Sequence, residues 1–452
     1  MRKLFYLSLV FFFIACERET FVPLDPNPSE YTYIVPLKWN ELYLELERFT
    51  PGYRPPVSAR TSGFIGLIGY ETIVPGHRGR YKSIAHVFDG LSIAPPNPNE
   101  TIDWEVALHA AYETAYIQFF PTAPSRQQFQ MRELINTYHK LFQGRISPEI
   151  YFRSVEWGRY VANTIYAWST SDIVGHQAFL KNHDDNYFPP IGLKNWQPTY
   201  PDYTPALLPH WGRAFTFVAD ETDVVRPPLE FLTTPGSALY QESRIVMDLV
   251  NNIKDGGSHE DKWIAEFWSD DCPTLTFTPA GRFIAISNQL ITLERMDMMD
   301  AVYMYAKVGM GLNDAGVRCW NEKYVHNIMR PIDYIRQFMG QPEWNSIMCP
   351  DGSGNYFTPP FPAYPSGHAT FGAVAAEVLE DILGTNYAFT DRCHQGRTEF
   401  NGTPRRFNRL KDFAFENAYS RIPIGVHFQM DADAGVELGF RIGQKINQLP
   451  WK

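Results

Sequence analysis

Much that would assign this 452-residue chain to a common class is missing from it. Cysteine is scarce: Cys16, Cys272, Cys319, Cys349 and Cys393 are the full set, and none stands at the paired spacing of a zinc site. Beyond the N-terminus there is no apolar run near the ~20 residues that a bilayer-spanning helix needs. There is no excess of positive charge either. The net charge is −10, and it falls to about −12 if Arg2 and Lys3 are removed with a leader, so nucleic-acid binding has no electrostatic support. No internal repeat, low-complexity tract or run of alternating strands interrupts the pattern. What the chain does have is aromatic side chains, 15% of residues, enough to fill a large helical core.

The N-terminus predicts an exported protein. MRKLFYLSLVFFFIAC opens with Arg2 and Lys3, continues apolar from Leu4 to Ile14, and stops at Ala15-Cys16. This has the form of a secretory signal peptide over 1–15, too short to span a membrane. The small residue before Cys16 resembles a bacterial lipobox, although Phe13 stands where Leu is usual. Acylation at Cys16 would give a membrane-anchored lipoprotein with its body facing the periplasm or the cell exterior. Residues 16–38, with several prolines, read as a tether. With Cys16 set aside, the remaining four cysteines allow two disulfides in three connectivities, which spacing does not decide.

From residue 39 onward the chain reads as one helical body, with its catalytic half at about 285–452. Apolar residues recur at three and four over 39–49, 57–74, 103–120, 126–143 and 148–170. They do so again over 238–254, 259–269, 285–310, 314–330, 367–383, 408–419 and 429–447. The stretch 183–237 breaks into prolines and aromatics, predicting an irregular segment packed over the helices. An all-α bundle protein follows.

The chemistry lies in short strings near the C-terminal end: KYVHNIMRP (323–331), PSGH (365–368) and SRIPIGVHFQMD (420–431). Each has a plain structural explanation. Lys323 and Arg330, seven apart, share one face of a helix and would ordinarily be solvated, with Pro331 placing Arg330 at a helix end. Ser366 reads as the cap of the helix that follows, whose free N–H groups, including that of Gly367, would also suit an anion. His427 and Asp431, four apart, can pair whether or not the histidine is active. Together, however, the strings supply cations at Lys323, Arg330 and Arg421 with histidines at 368 and 427, the set that oxyanion chemistry requires.

In this order and spacing, the strings resemble the signature shared by vanadium-dependent haloperoxidases and type 2 phosphatidic acid phosphatases. Trp320 and the extended PPFPAYPSGHATFG (359–372) point to the peroxidase branch, as do RPPVSAR (54–60), GYETIVPG (69–76) and PALLPHWG (205–212). The resemblance implies an all-α fold of two packed helical bundles, with the site in the C-terminal one. It implies vanadate as cofactor, with phosphate as a competing anion. Lys323, Arg330, Arg421, Ser366 and Gly367 would hold its oxygens, and His427 would ligate the vanadium with Asp431 behind it. His368 would be the acid–base group, and Trp320 and Phe361 would form apolar walls. The implied reaction is oxidation of a halide, iodide or bromide first, by hydrogen peroxide to hypohalous acid. The alternative is a phosphatase in which His427 forms a phosphohistidine. A binding lipoprotein without catalysis would have no need of this set of residues.

Overall fold

The computed structural model describes residues 27–349 and 356–452, so the signal peptide, Cys16 and most of the expected tether lie outside the described residues. The helices are α1 (Ile34–Phe49), α2 (Pro55–Ile73), α3 (Trp104–Phe119), α4 (Ser125–Gln143), α5 (Pro148–Ser169), α6 (Ala238–Lys254) and α7 (His259–Phe267). They continue as α8 (Gly281–Glu294), α9 (Met298–His326), α10 (Pro331–Phe338), α11 (Gly367–Leu383), α12 (Leu410–Tyr419) and α13 (Gln429–Asn447). The strands found among the described residues are a short antiparallel pair, β1 (Phe389–Asp391) and β2 (Arg405–Phe407). The fold is all-α, and none of the described helices is long and apolar enough to cross a membrane.

One bundle is built from α1–α5 and the other from α8, α9 and α11–α13, and they join where α2 lies along α9. Every residue of α2 is buried. Close approach explains the glycines at this crossing: a Cβ on Gly309 would come within 2.4 Å of the Ser62 carbonyl oxygen. The second tight contact is α11 against α13, where Gly435, Gly439 and Gly443 form a flat ridge. A Cβ on Gly439 would lie 2.4 Å from the Thr370 carbonyl oxygen.

The structure corrects several sequence expectations. The tether expected to reach residue 38 stops short, because α1 already begins at Ile34 and buries Val35, Leu37 and Trp39. Pro36 reads as a breaker but falls in the first helical turn, where its missing N–H is not needed. The break expected near 310–314 does not exist. The chain instead turns at Arg295, left-handed at φ 51°, and α9 starts at Asp297, whose carboxylate accepts from Asp300 N–H at 2.8 Å. Lys323 and Arg330 do not share one helix, since α9 ends at His326 with Asn327 left-handed. Arg330 stands just before Pro331, which opens α10, a helix the sequence reading did not separate. A disulfide joins Cys272 to Cys349, while Cys319 and Cys393 are free thiols.

The proline- and aromatic-rich segment does pack over the helices. Trp196 and Trp211 are fully buried, and the Trp196 N–H reaches the Asn327 carbonyl at 2.8 Å. Asp314, buried on α9, accepts the N–H groups of Phe217, Val218 and Ala219, which fixes this irregular backbone to the helix.

Candidate active site

Helix ends bring the cations together. Lys323 comes from the last turn of α9, Arg330 from the α9–α10 junction and Arg421 from the turn after α12. All three are fully buried, and among the described residues none has a carboxylate within ion-pair distance. Burying a charge without a partner is costly, so the cluster needs a physical reason.

Neutral acceptors hold the cations in place. Lys323 Nζ donates to the carbonyls of Pro362 (3.0 Å), Ala363 (2.9 Å) and Pro365. Arg330 Nε donates to Phe361 O at 2.9 Å, and its Nη1 donates to Val426 O at 3.0 Å and His427 Nε2 at 3.2 Å. Arg421 reaches Trp268 O at 3.2 Å and the Met348 sulfur at 3.3 Å. Arg330 Nη2 and Arg421 Nε, both buried, find no acceptor among the described residues. Burial pulls Lys323 down to about 7, Arg330 to about 10 and Arg421 to about 9, and the neighbouring positive charges add to the effect at Lys323 and Arg421. The strain relaxes when a negative group arrives.

His427 is held as a ligand or nucleophile would be. Its Nδ1 lies 2.9 Å from Asp431 Oδ2, so the carboxylate keeps the proton on Nδ1 and leaves the Nε2 lone pair facing Arg330. Asp431 is fixed in turn, because Oδ2 also accepts the Phe428 N–H at 3.0 Å while its own carbonyl accepts from Ser366 N–H. Burial pushes this carboxyl up to about 7. Burial, followed by the charges of Arg330, Lys323 and Arg421, holds the His427 imidazole neutral.

The PSGH string supplies a helix N-terminus. Ser366 caps α11, and the first-turn N–H groups of Gly367 and His368 have no helical acceptor within reach. Gly367 sits close under the Trp320 ring: a Cβ there would lie 3.3 Å from it, a tight contact. His368 Nε2 lies 2.9 Å from the Asp270 carbonyl oxygen, which can only accept, so the proton sits on Nε2 and the lone pair on Nδ1. Burial first, then Arg421, keeps this imidazole neutral as well. Trp320 and Phe361, with ring centroids 4.8 Å apart, wall one side. A tight pocket of about 10 Å³, roughly one water by volume, is lined by Trp320, Phe361, Gly367, His368, Arg421 and His427.

The structure therefore brings together every site residue singled out in the sequence from Lys323 to Asp431. It also adds Asp270 and Asp271, which the sequence reading passed over. Asp271, buried on the pocket wall, pairs with Arg54 at 3.1 Å, so the N-terminal bundle also reaches the site. The adjacent acids in SDDCP (269–273) were the available signal. A separate cluster, His109, Glu113 and His139, has ligand atoms within 4.8 Å of one another. There the Trp39 indole N–H donates to His109 Nδ1 at 3.2 Å, which leaves the proton on Nε2 and no lone pair to offer a metal.

The arrangement is thus a two-bundle helical protein with buried cations, none within ion-pair distance of a carboxylate among the described residues, around an imidazole lone pair, a geometry suited to an oxyanion. Residues 303–449 match the family described as the VCPO second helical-bundle domain. The vanadium chloroperoxidase of Curvularia inaequalis is 27% identical over an alignment covering 92% of this chain and 82% of that protein. Among solved structures, one described as the first bacterial vanadium-dependent iodoperoxidase superposes with a TM-score of 0.79 at 26% identity, covering 92% of this chain and 96% of the other. A holo-type bacterial vanadium-dependent chloroperoxidase shares the fold, with a TM-score of 0.67 at 16% identity over 89% and 93% of the two chains. In sequence and in fold the chain is similar to these vanadium haloperoxidases.

Proposed function

We propose that this chain is a vanadate-dependent haloperoxidase that uses hydrogen peroxide to oxidise halide, iodide or bromide, to hypohalous acid. The observation that carries this reading is the trio of buried cations, with no carboxylate within ion-pair distance among the described residues, around His427 Nε2. The residues suit vanadate: Arg330 Nη2 and Arg421 Nε are donors without acceptors, and Gly367 leaves a backbone N–H open to an anion. Lys323, Arg330, Arg421, Ser366 Oγ and the Gly367 N–H would hold its oxygens, and His427 Nε2 would be its protein ligand. When bound, vanadium would act as a Lewis acid toward peroxide without changing oxidation state.

The chain's own residues supply the rest. Asp431 keeps the His427 proton on Nδ1, so Nε2 stays available. His368, neutral and anchored through Nε2–H, presents Nδ1 as the base that takes a proton from peroxide. Trp320 and Phe361 exclude water from the side where halide would approach. Phosphate, with the same shape and charge, would compete for the cage. We extend the proposal to export and acylation at Cys16, on the N-terminal sequence alone, which would anchor the enzyme to a membrane facing the periplasm or the exterior.

The test uses protein beginning after Cys16, stripped of anions and then given orthovanadate. Peroxide-dependent oxidation of iodide or bromide that appears only with vanadate and is suppressed by phosphate is expected. Aryl phosphate hydrolysis inhibited by vanadate, without halide turnover, would overturn the peroxidase and make His427 a phosphohistidine nucleophile.

A further inference from the structure

Two supports of the site hang from segments that the sequence keeps far apart. Asp270, whose carbonyl fixes His368, lies two residues before Cys272. Met348, whose sulfur accepts from Arg421, lies one residue before Cys349. The Cys272–Cys349 disulfide ties these segments across 77 residues.

Other contacts hold the first segment from its side chains: Asp270 pairs with Arg282 at 3.2 Å and His394 at 3.1 Å, and Asp271 with Arg54 at 3.1 Å. The 346–349 stretch is hung by Ile347 N–H on Ile424 O at 3.0 Å and by Phe357 N–H on Met348 O at 2.9 Å. On the other side, Asp271 N–H reaches Phe277 O at 3.1 Å and Cys272 N–H reaches Thr276 Oγ1 at 3.2 Å. Both segments also carry backbone that a side chain rarely adopts: φ is 93° at Asp271 and 51° at Cys349. Such residues persist only where their surroundings over-determine them. The disulfide is the covalent link that ties the two segments to each other.

We infer that the Cys272–Cys349 disulfide is a positioning element for the anion site, holding the Asp270 carbonyl against His368 and the Met348 sulfur against Arg421. The inference rests on the reading of the cage as an oxyanion site and holds for peroxidase and phosphatase alike. It makes anion affinity sensitive to thiols. A dithiol reductant such as dithiothreitol can reach the bond, because both half-cystines line an open pocket of about 510 Å³ and Cys349 is partly exposed. Its thiolate attacks one sulfur and breaks the S–S bond. Its second thiol then closes the oxidised ring, leaving protonated thiols at Cys272 and Cys349 and two electrons on the protein.

The experiment measures phosphate binding by calorimetry, alongside thermal unfolding, for the wild type before and after dithiothreitol and for the Cys272→Ala/Cys349→Ala double variant. Both bond-free forms should bind phosphate about 10-fold or more weakly, the scale on which supports of this kind act. Dithiothreitol should change nothing further in the double variant, and reoxidation should restore the wild type. Met348→Leu, which keeps the bond and the volume but removes the acceptor, should show part of the loss. An unchanged phosphate affinity with only a lower melting temperature would make the bond an ordinary staple and overturn the inference. Should the double variant fail to fold, the reduced and reoxidised wild type decides between the same outcomes. A wild type that binds no phosphate at all would refute the oxyanion site itself, a different failure.

Discussion

At the scale of single residues, the site is defined by protons that have been told where to sit. His427 carries its proton on Nδ1 and His368 on Nε2, each because of one acceptor. Replacing His427 by Ala should abolish vanadate-dependent halide oxidation, and a variant that keeps full activity would remove it as ligand. His368→Ala should leave vanadate bound while slowing turnover by ~10²-fold or more, read from equilibrium binding beside steady-state rates. Asp431→Asn should weaken vanadate binding ~10–100-fold by releasing the His427 tautomer, measured by titration. The lowered Lys323 pKa of about 7 sets a pH dependence. An anion favours the charged ammonium, so the bound form has the higher pKa. Affinity should be fullest below about 7 and should decline above it, with binding at pH 8 accompanied by proton uptake. Calorimetry in buffers of different ionisation enthalpy checks the sign.

These residues were legible because their types and spacing are unusual together. Asp270 and Asp271 were not, since neither belongs to a spaced motif and their partners, His368 and Arg54, lie far away in the chain. Nor did spacing reveal which cysteines pair.

Among the elements, α9 and α11 carry Trp320, Lys323, Gly367 and His368, and their positions follow from glycines that let backbones touch. Gly439→Ala would push α13 off α11, because its Cβ meets the Thr370 carbonyl and the Ala373 side chain. A loss of about 1–3 kcal/mol is expected by analogy with overpacked cores, together with weaker anion binding, since Ser366 to His368 begin that same helix. Thermal unfolding and phosphate titration on the same variant test both effects. Helix periodicity placed α11 and α13 closely in the sequence. It failed at the start of α9, where the Asp297 carboxylate caps the helix, and at α10, where left-handed Asn327 ends α9 and Pro331 opens the next helix. A proline at 36 or 331 marks a start in this chain as readily as a stop.

For the molecule as a whole, the unpaired cations are a stability debt that an anion settles. Phosphate or vanadate at about 100 times its dissociation constant should stabilise the folded protein by ~2.7 kcal/mol, raising the melting temperature in proportion to its logarithm of concentration. Chloride at equal ionic strength should do much less. The all-α class was readable from periodicity, and the two-bundle arrangement came from the family resemblance alone. The way the two halves share helices was not readable, since a fully buried helix such as α2 shows no polar face from which to infer its neighbours.

That sharing limits how the protein can be taken apart. The strings that define the chemistry all lie after residue 320, which invites expression of the C-terminal half alone. In such a fragment α9 would lose the helix along which it lies, and the Asp271–Arg54 pair on the pocket wall would be absent altogether. The catalytic half is therefore not a transferable module. Grafted elsewhere or expressed from residue 285, it would present to water the apolar face that α2 now covers, and it would precipitate before it could be assayed.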